Sequence, residues 1–136
     1  MPCNYVVARD GAVVLELWTG TVSLTELAGH KTHLANDVDL KPGASLLSDC
    51  RRAKFEFSPD AISDLANMEN DPASDARISR YAFLVPDEVY SMARQFADKV
   101  EGFGKTVIVF NSLDVAATWL GMEVSEVVAL QESLPE

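Results

Sequence analysis

The run Thr106-Val107-Ile108-Val109-Phe110 carries no polar side chain after its first position. A strand of this kind, apolar on both sides, belongs in a parallel sheet with both faces covered. Helices on either side of a mostly parallel sheet supply such cover, so this one segment points to an α/β architecture.

The other runs extend the pattern. Tyr5-Val6-Val7-Ala8 and Ala12-Val13-Val14-Leu15-Glu16-Leu17-Trp18 are joined by Arg9-Asp10-Gly11. A short Asp-Gly connection between such runs predicts a hairpin, and with it one antiparallel edge strand. Ser23-Leu24-Thr25-Glu26 reads as a capping box opening a first helix, with Leu24, Leu27, Ala28, Leu34 and Ala35 as its buried stripe. Lys31 falls near the middle of that stripe and is expected to snorkel along the helix edge. Ala44-Ser45-Leu46-Leu47-Ser48 is a short strand ending at Asp49 and Cys50, followed by a loop holding Arg51, Arg52 and Lys54.

Ser58-Pro59-Asp60 marks a second helix, with Ser58 as N-cap and Pro59 at the first helical position. Residues 70–75 form a polar loop, expected to be the most mobile segment. A strand runs from Ile78 to Val85, and Asp87 is expected to cap a third helix with the stripe Val89, Met92, Ala93, Phe96 and Val100. Gly102 and Gly104 end it, Ser112 caps a fourth helix closing at Trp119-Leu120-Gly121, and a terminal helix covers about Ser125 to Leu134. Strands alternating with helices imply right-handed crossovers in a mostly parallel sheet.

A length of 136 residues suits a single domain over 1–136, with 122–136 as a C-terminal helical extension. The formal net charge of −10, from 21 acidic and 11 basic side chains, disfavours nucleic acid and anionic membrane as partners. No apolar run approaches the roughly 18 residues of a membrane span, and no basic-then-apolar leader opens the chain, so a cytoplasmic location is expected. In that setting Cys3 and Cys50 are expected to be free thiols.

Several chemical motifs fail on spacing. Gly102-Phe103-Gly104-Lys105-Thr106 ends like a phosphate loop, but the position five before Gly104 is Lys99 and the segment precedes a strand. Neither a nucleophile elbow nor a dinucleotide fingerprint is present. Glu26, His30, His33 and Asp37 project onto one sector of the first helix, opposite its leucines. Such a set could hold a transition metal, but acid–histidine pairs on a solvated face account for it and need no metal at all. No metal site and no cofactor are therefore expected, with His30 and His33 as the only weak metal candidates.

Ligands of open α/β sheets bind beyond the carboxyl ends of the parallel strands. Those ends supply Asp49, Arg51, Arg52, Asp87 and Asn111, and Ser58 opens a helix toward the same rim. The basic residues give the rim local positive charge suited to an anionic ligand or acidic partner surface.

The segments Leu46-Leu47-Ser48-Asp49, Phe55 to Ser58, Arg80-Tyr81-Ala82-Phe83-Leu84-Val85 and Val109 to Gly121, with its Ala-x-x-Trp-Leu-Gly ending, resemble the SpoIIAA-like family of the STAS domains over about residues 5–121. The resemblance implies a SpoIIAA/STAS-like β/α superhelix, shared with lipid-carrying CRAL-TRIO domains. Its sheet is five-stranded and mostly parallel, with an antiparallel edge strand and four to five helices. Antagonist members of that family carry Asp-Ser-Ser-Gly with a phosphorylated serine. Here Phe57-Ser58-Pro59-Asp60 stands instead, and proline cannot accept phosphate.

The expectation is a non-catalytic regulatory or protein-interaction domain working through the rim of Asp49, Arg51, Arg52, Ser58, Asp87 and Asn111. The alternative is a carrier of a small lipidic or amphipathic ligand, held between the sheet and the Val89, Met92, Phe96 face of the third helix. An enzyme using Asp49, a histidine or Cys50 ranks third. A homodimer is expected from the amphipathic surface of the terminal helix.

Overall fold

In the computed structural model, which describes residues 3–56, 58, 60–68 and 78–135, Cys3–Ala8 (β1) and Val13–Ser23 (β2) pair antiparallel across the expected hairpin. The turn is a single 3-10 turn, Arg9–Gly11, with Arg9, Asp10 and Gly11 all at positive φ. At Gly11 only glycine fits, because a Cβ there would lie 2.4 Å from the Asp39 carbonyl oxygen.

Leu24–Ala35 (α1) opens on the capping box as expected: the Glu26 N–H donates to Ser23 Oγ and the Ser23 N–H to Glu26 Oε1. Ala44–Glu56 (β3), Ile78–Leu84 (β4) and Thr106–Phe110 (β5) follow, all parallel to β2, in the spatial order β1-β2-β3-β4-β5. Ala61–Met68 (α2) and Asp87–Glu101 (α3) make the other two crossovers, and Leu113–Leu120 (α4) and Val124–Glu132 (α5) close the chain. No helix of the described residues is long and apolar enough to cross a membrane.

The strands advance in one direction across the sheet, so right-handed crossovers put α1, α2 and α3 on the same face. That face is built on Val14, Trp18, Leu46, Tyr81, Val107 and the inner sides of the three helices. The opposite face, with Leu15, Leu47, Leu84 and Phe110, is covered by α4 and α5. The two faces use alternate residues of each strand, which is why β5 carries no polar residue after Thr106.

Some expected details differ. β3 does not stop at Asp49: it runs to Glu56, because β2 itself continues through Thr19–Ser23 and offers it a partner. Arg51, Arg52 and Lys54 are thus strand residues. A register shift sets Leu17 opposite Asp49 and Thr19 opposite Arg52. Three steps on β3 against two on β2 make a bulge, which carries Ala53 and Phe55 back to the face occupied by Leu46 and Cys50. Asp87 is the first residue of α3 instead of its cap, favouring the helix dipole, and neither Pro86 nor Ser112 makes a side-chain cap bond. Pro59 and the expected loop at 70–75 lie outside the described residues. α2 starts at Ala61, whose N–H donates to the Ser58 carbonyl.

The terminal helix is part of the core. Val127 is fully buried with Met122 and Leu120 against the second face, and burying a valine contributes about 1.5–3 kcal/mol. Val124 and Leu130 are half-buried and pack against the same cluster.

Candidate functional site

Position 16 sits in phase with Val14, Trp18 and Val22 on the inner face of β2, yet it is a glutamate, 5 % exposed. A carboxylate there needs partners, and it has them. Glu16 Oε2 accepts from His30 Nε2 on α1, and Oε1 accepts from the Trp18 indole N–H at 3.2 Å. Ser48 on β3 adds a third hydrogen bond. Burial by itself pushes the Glu16 carboxyl up, but the His30 charge and these hydrogen bonds outweigh it and hold it below the ordinary carboxylate value. Trp18 and Tyr5 pack edge-on against the imidazole at 5.1 and 5.6 Å. Cys3 Sγ lies 3.5 Å from His30 Nε2.

The face beside this group is hollow. A cavity of about 140 Å³ opens between the sheet and α1, α2 and α3. Its wall is mainly apolar, with Leu46, Phe55, Leu65, Tyr81, Met92 and Phe96 prominent, and Glu16, His30 and Ser48 contribute its polar patch. Lys31 and Lys105 also line it. The Lys31 ammonium stands 5.0 Å from the Phe96 ring centroid and 5.6 Å from that of Tyr81, which Lys105 approaches to 5.7 Å. Lys31 thus turns into the cavity wall and not simply along the helix edge. An apolar space of about 150 Å³ is enough to take up benzene, so this one accommodates a group of that size.

Burial pushes the Cys50 thiol up to about 12, and Cys3 is raised further by burial and the Glu16 charge. Both remain protonated at neutral pH, the unreactive form of the side chain. Neither forms a disulfide.

The expected rim residues do not form one hydrogen-bonded cluster. Asp49 is buried at 2 % exposure, its carboxylate gripped by the Arg51 guanidinium at 3.0 and 2.8 Å and by Gln131 Nε2 of α5 at 2.8 Å. Arg52, Ser58, Asp87 and Asn111 are exposed. Among the described residues no hydrogen bond or ion pair joins these four to one another or to Asp49. Asp49 lies on the α5 side of the sheet, away from the cavity.

The proposed face of Glu26, His30, His33 and Asp37 also separates. Glu26 serves the capping box and Asp37 accepts from the Tyr5 hydroxyl at 2.6 Å. His33 is exposed, whereas His30 is buried, because it follows Leu27 by three residues and precedes Leu34 by four and so shares their stripe. The partner of His30 was missed in the sequence, although a lone acid in phase with Val14 and Trp18 is the signal that marks it.

No family model matches the chain, and no curated protein matches it. Among solved structures it is similar to an uncharacterized protein of the DUF3478 family with a SpoIIAA-like fold from Shewanella loihica PV-4, at a TM-score of 0.50 and 12% identity, covering 87% of this chain and 91% of that one. The chain has a SpoIIAA-like α/β fold.

Proposed function

We propose that this SpoIIAA-like domain binds a small, mainly apolar ligand in the cavity beneath α1, α2 and α3, and does so without catalysing a reaction on it. One observation carries the reading: a well-packed core of this size has no need of a hollow, and this one combines apolar walls with a few polar groups, as ligand sites do. The Cys50 thiol in the cavity wall, held protonated by burial, favours holding over chemistry. A ligand with an anionic end suits the Lys31 and Lys105 ammoniums.

Binding of benzoate as the probe, a benzene-sized ring with an anionic end, measured by titration calorimetry, tests this. Saturable binding at one site per chain is expected, and Ala93→Phe, which fills the cavity from α3, should abolish it while the protein stays folded. Equal binding by the folded variant would sink the reading. The rival, a regulatory protein-interaction rim, retains Arg52, Ser58, Asp87 and Asn111 as exposed positions. It is weakened because Asp49 and Arg51 are held in an internal bridge.

A further inference from the structure

Three chemically different donors converge beside the cavity. Cys3 Sγ from β1, a Glu16 carboxylate oxygen from β2 and His30 Nε2 from α1 lie within 4.8 Å of one another, and all three residues are buried. We propose that they form a zinc site, with the fourth position open toward the cavity that Glu16 and His30 line.

The distances fit. Zinc–sulfur and zinc–nitrogen bonds of about 2.3 and 2.05 Å at a tetrahedral angle set the two ligand atoms about 3.5 Å apart. Cys3 Sγ and His30 Nε2 are 3.5 Å apart. The glutamate stands closer to His30 than two ligands of one ion would, because a proton holds the two together, and the ion takes that proton's place. Trp18 holds the other carboxylate oxygen and so orients the ligand from behind.

Charge fits as well. A thiolate and a carboxylate with neutral imidazole cancel the two positive charges of zinc, so the occupied site is neutral in an apolar interior. On binding, the Cys3 thiol proton and the proton between His30 and Glu16 leave to solvent. Sulfur and nitrogen donors select zinc over magnesium or calcium, whose sites are built from oxygen.

The test begins with chelator-treated full-length protein, titrated with zinc chloride at neutral pH, with bound metal measured by mass spectrometry after dialysis. One zinc per chain is expected, and cobalt(II) should produce a near-ultraviolet thiolate-to-metal band. Cys3→Ser should weaken zinc binding by more than about tenfold, since even losing an outer-shell partner costs about that, and should remove the cobalt band. His33→Ala should change neither. Substoichiometric zinc, or binding unaffected by a folded Cys3→Ser protein, overturns the proposal. Should His30→Ala fail to fold, the edge-strand Cys3→Ser variant and its cobalt spectrum still decide. Cys3 is not in the cavity wall, so a parent protein that binds the probe but takes up no zinc refutes the metal site alone, and one that takes up one zinc but binds no probe refutes the ligand reading alone.

Discussion

Replacing Glu16 alone is expected to destabilise the metal-free protein more than replacing Glu16 and His30 together. Glu16→Leu strips the acceptor from three buried donors at once: the His30 imidazole, the Trp18 indole and the Ser48 hydroxyl. Breaking a buried pair from one side costs about 3–5 kcal/mol, whereas exchanging both members for apolar groups of similar volume is often neutral. In the double variant the Ser48 hydroxyl still has Cys50 Sγ at 3.5 Å, but the Trp18 N–H loses its acceptor, so a residual loss of about 1–2 kcal/mol is expected there. Unfolding entropy of about 2.1 cal/mol/K per residue gives roughly 0.29 kcal/mol/K for a chain of 136 residues. The single substitution should then lower Tm by about 10–17 °C and the Glu16→Leu, His30→Leu pair by about 3–7 °C. Circular dichroism melts in the presence of chelator measure both. A single variant within about 1 kcal/mol of the parent, or a double variant as unstable as the sum of its parts, refutes the reasoning.

The carboxyl of Glu16 is held below its unfolded value of about 4.3, so its contribution is complete above that pH and is lost as pH falls through the folded value. As pH falls below about 4.3 and on through the folded value, the metal-free parent and Glu16→Gln should therefore converge in Tm, and a gap that widens on acidification contradicts this. Gly11→Ala is expected to cost more than about 1 kcal/mol by urea unfolding, through both its φ of +92° and the clash with Asp39. Arg51→Glu should cost about 2 kcal/mol by leaving the Asp49 carboxylate facing a like charge, while Arg52→Glu should stay within about 0.5 kcal/mol. Equal melting curves for these two would show that the Asp49 bridge contributes nothing.

Much of the architecture was legible because it depends on local chemistry. The order of elements followed from apolar phase, the start of α1 from Ser23 and Glu26, and the end of α4 from Gly121, which takes the left-handed conformation. The site was less legible because its pieces are joined only by docking. Glu16 and His30 are 14 residues apart on a strand and a helix, and how α1 rolls onto the sheet decides that His30 faces inward and His33 outward. A helix projection alone grouped them. Asp49 reads as a rim residue until Gln131, 82 residues later, closes over it. The length of β3 likewise depends on a partner stretch of β2, and nothing within 44–56 announces it.

The order of the chain also sets a schedule for synthesis. The crossovers clothe one side of the sheet as each strand emerges from the ribosome. Val13, Leu15, Leu47, Ala82 and Leu84 on the other side wait for Ala116, Ala117 and Val127. A nascent chain ending near residue 110 would present that sheet face bare, the kind of surface that recruits chaperones or other nascent chains. Translation that stalls before α4 should thus be more hazardous to this protein than a stall between any two of its strands, and α5 acts as the latch on a fold that is aggregation-prone until its last turn is made.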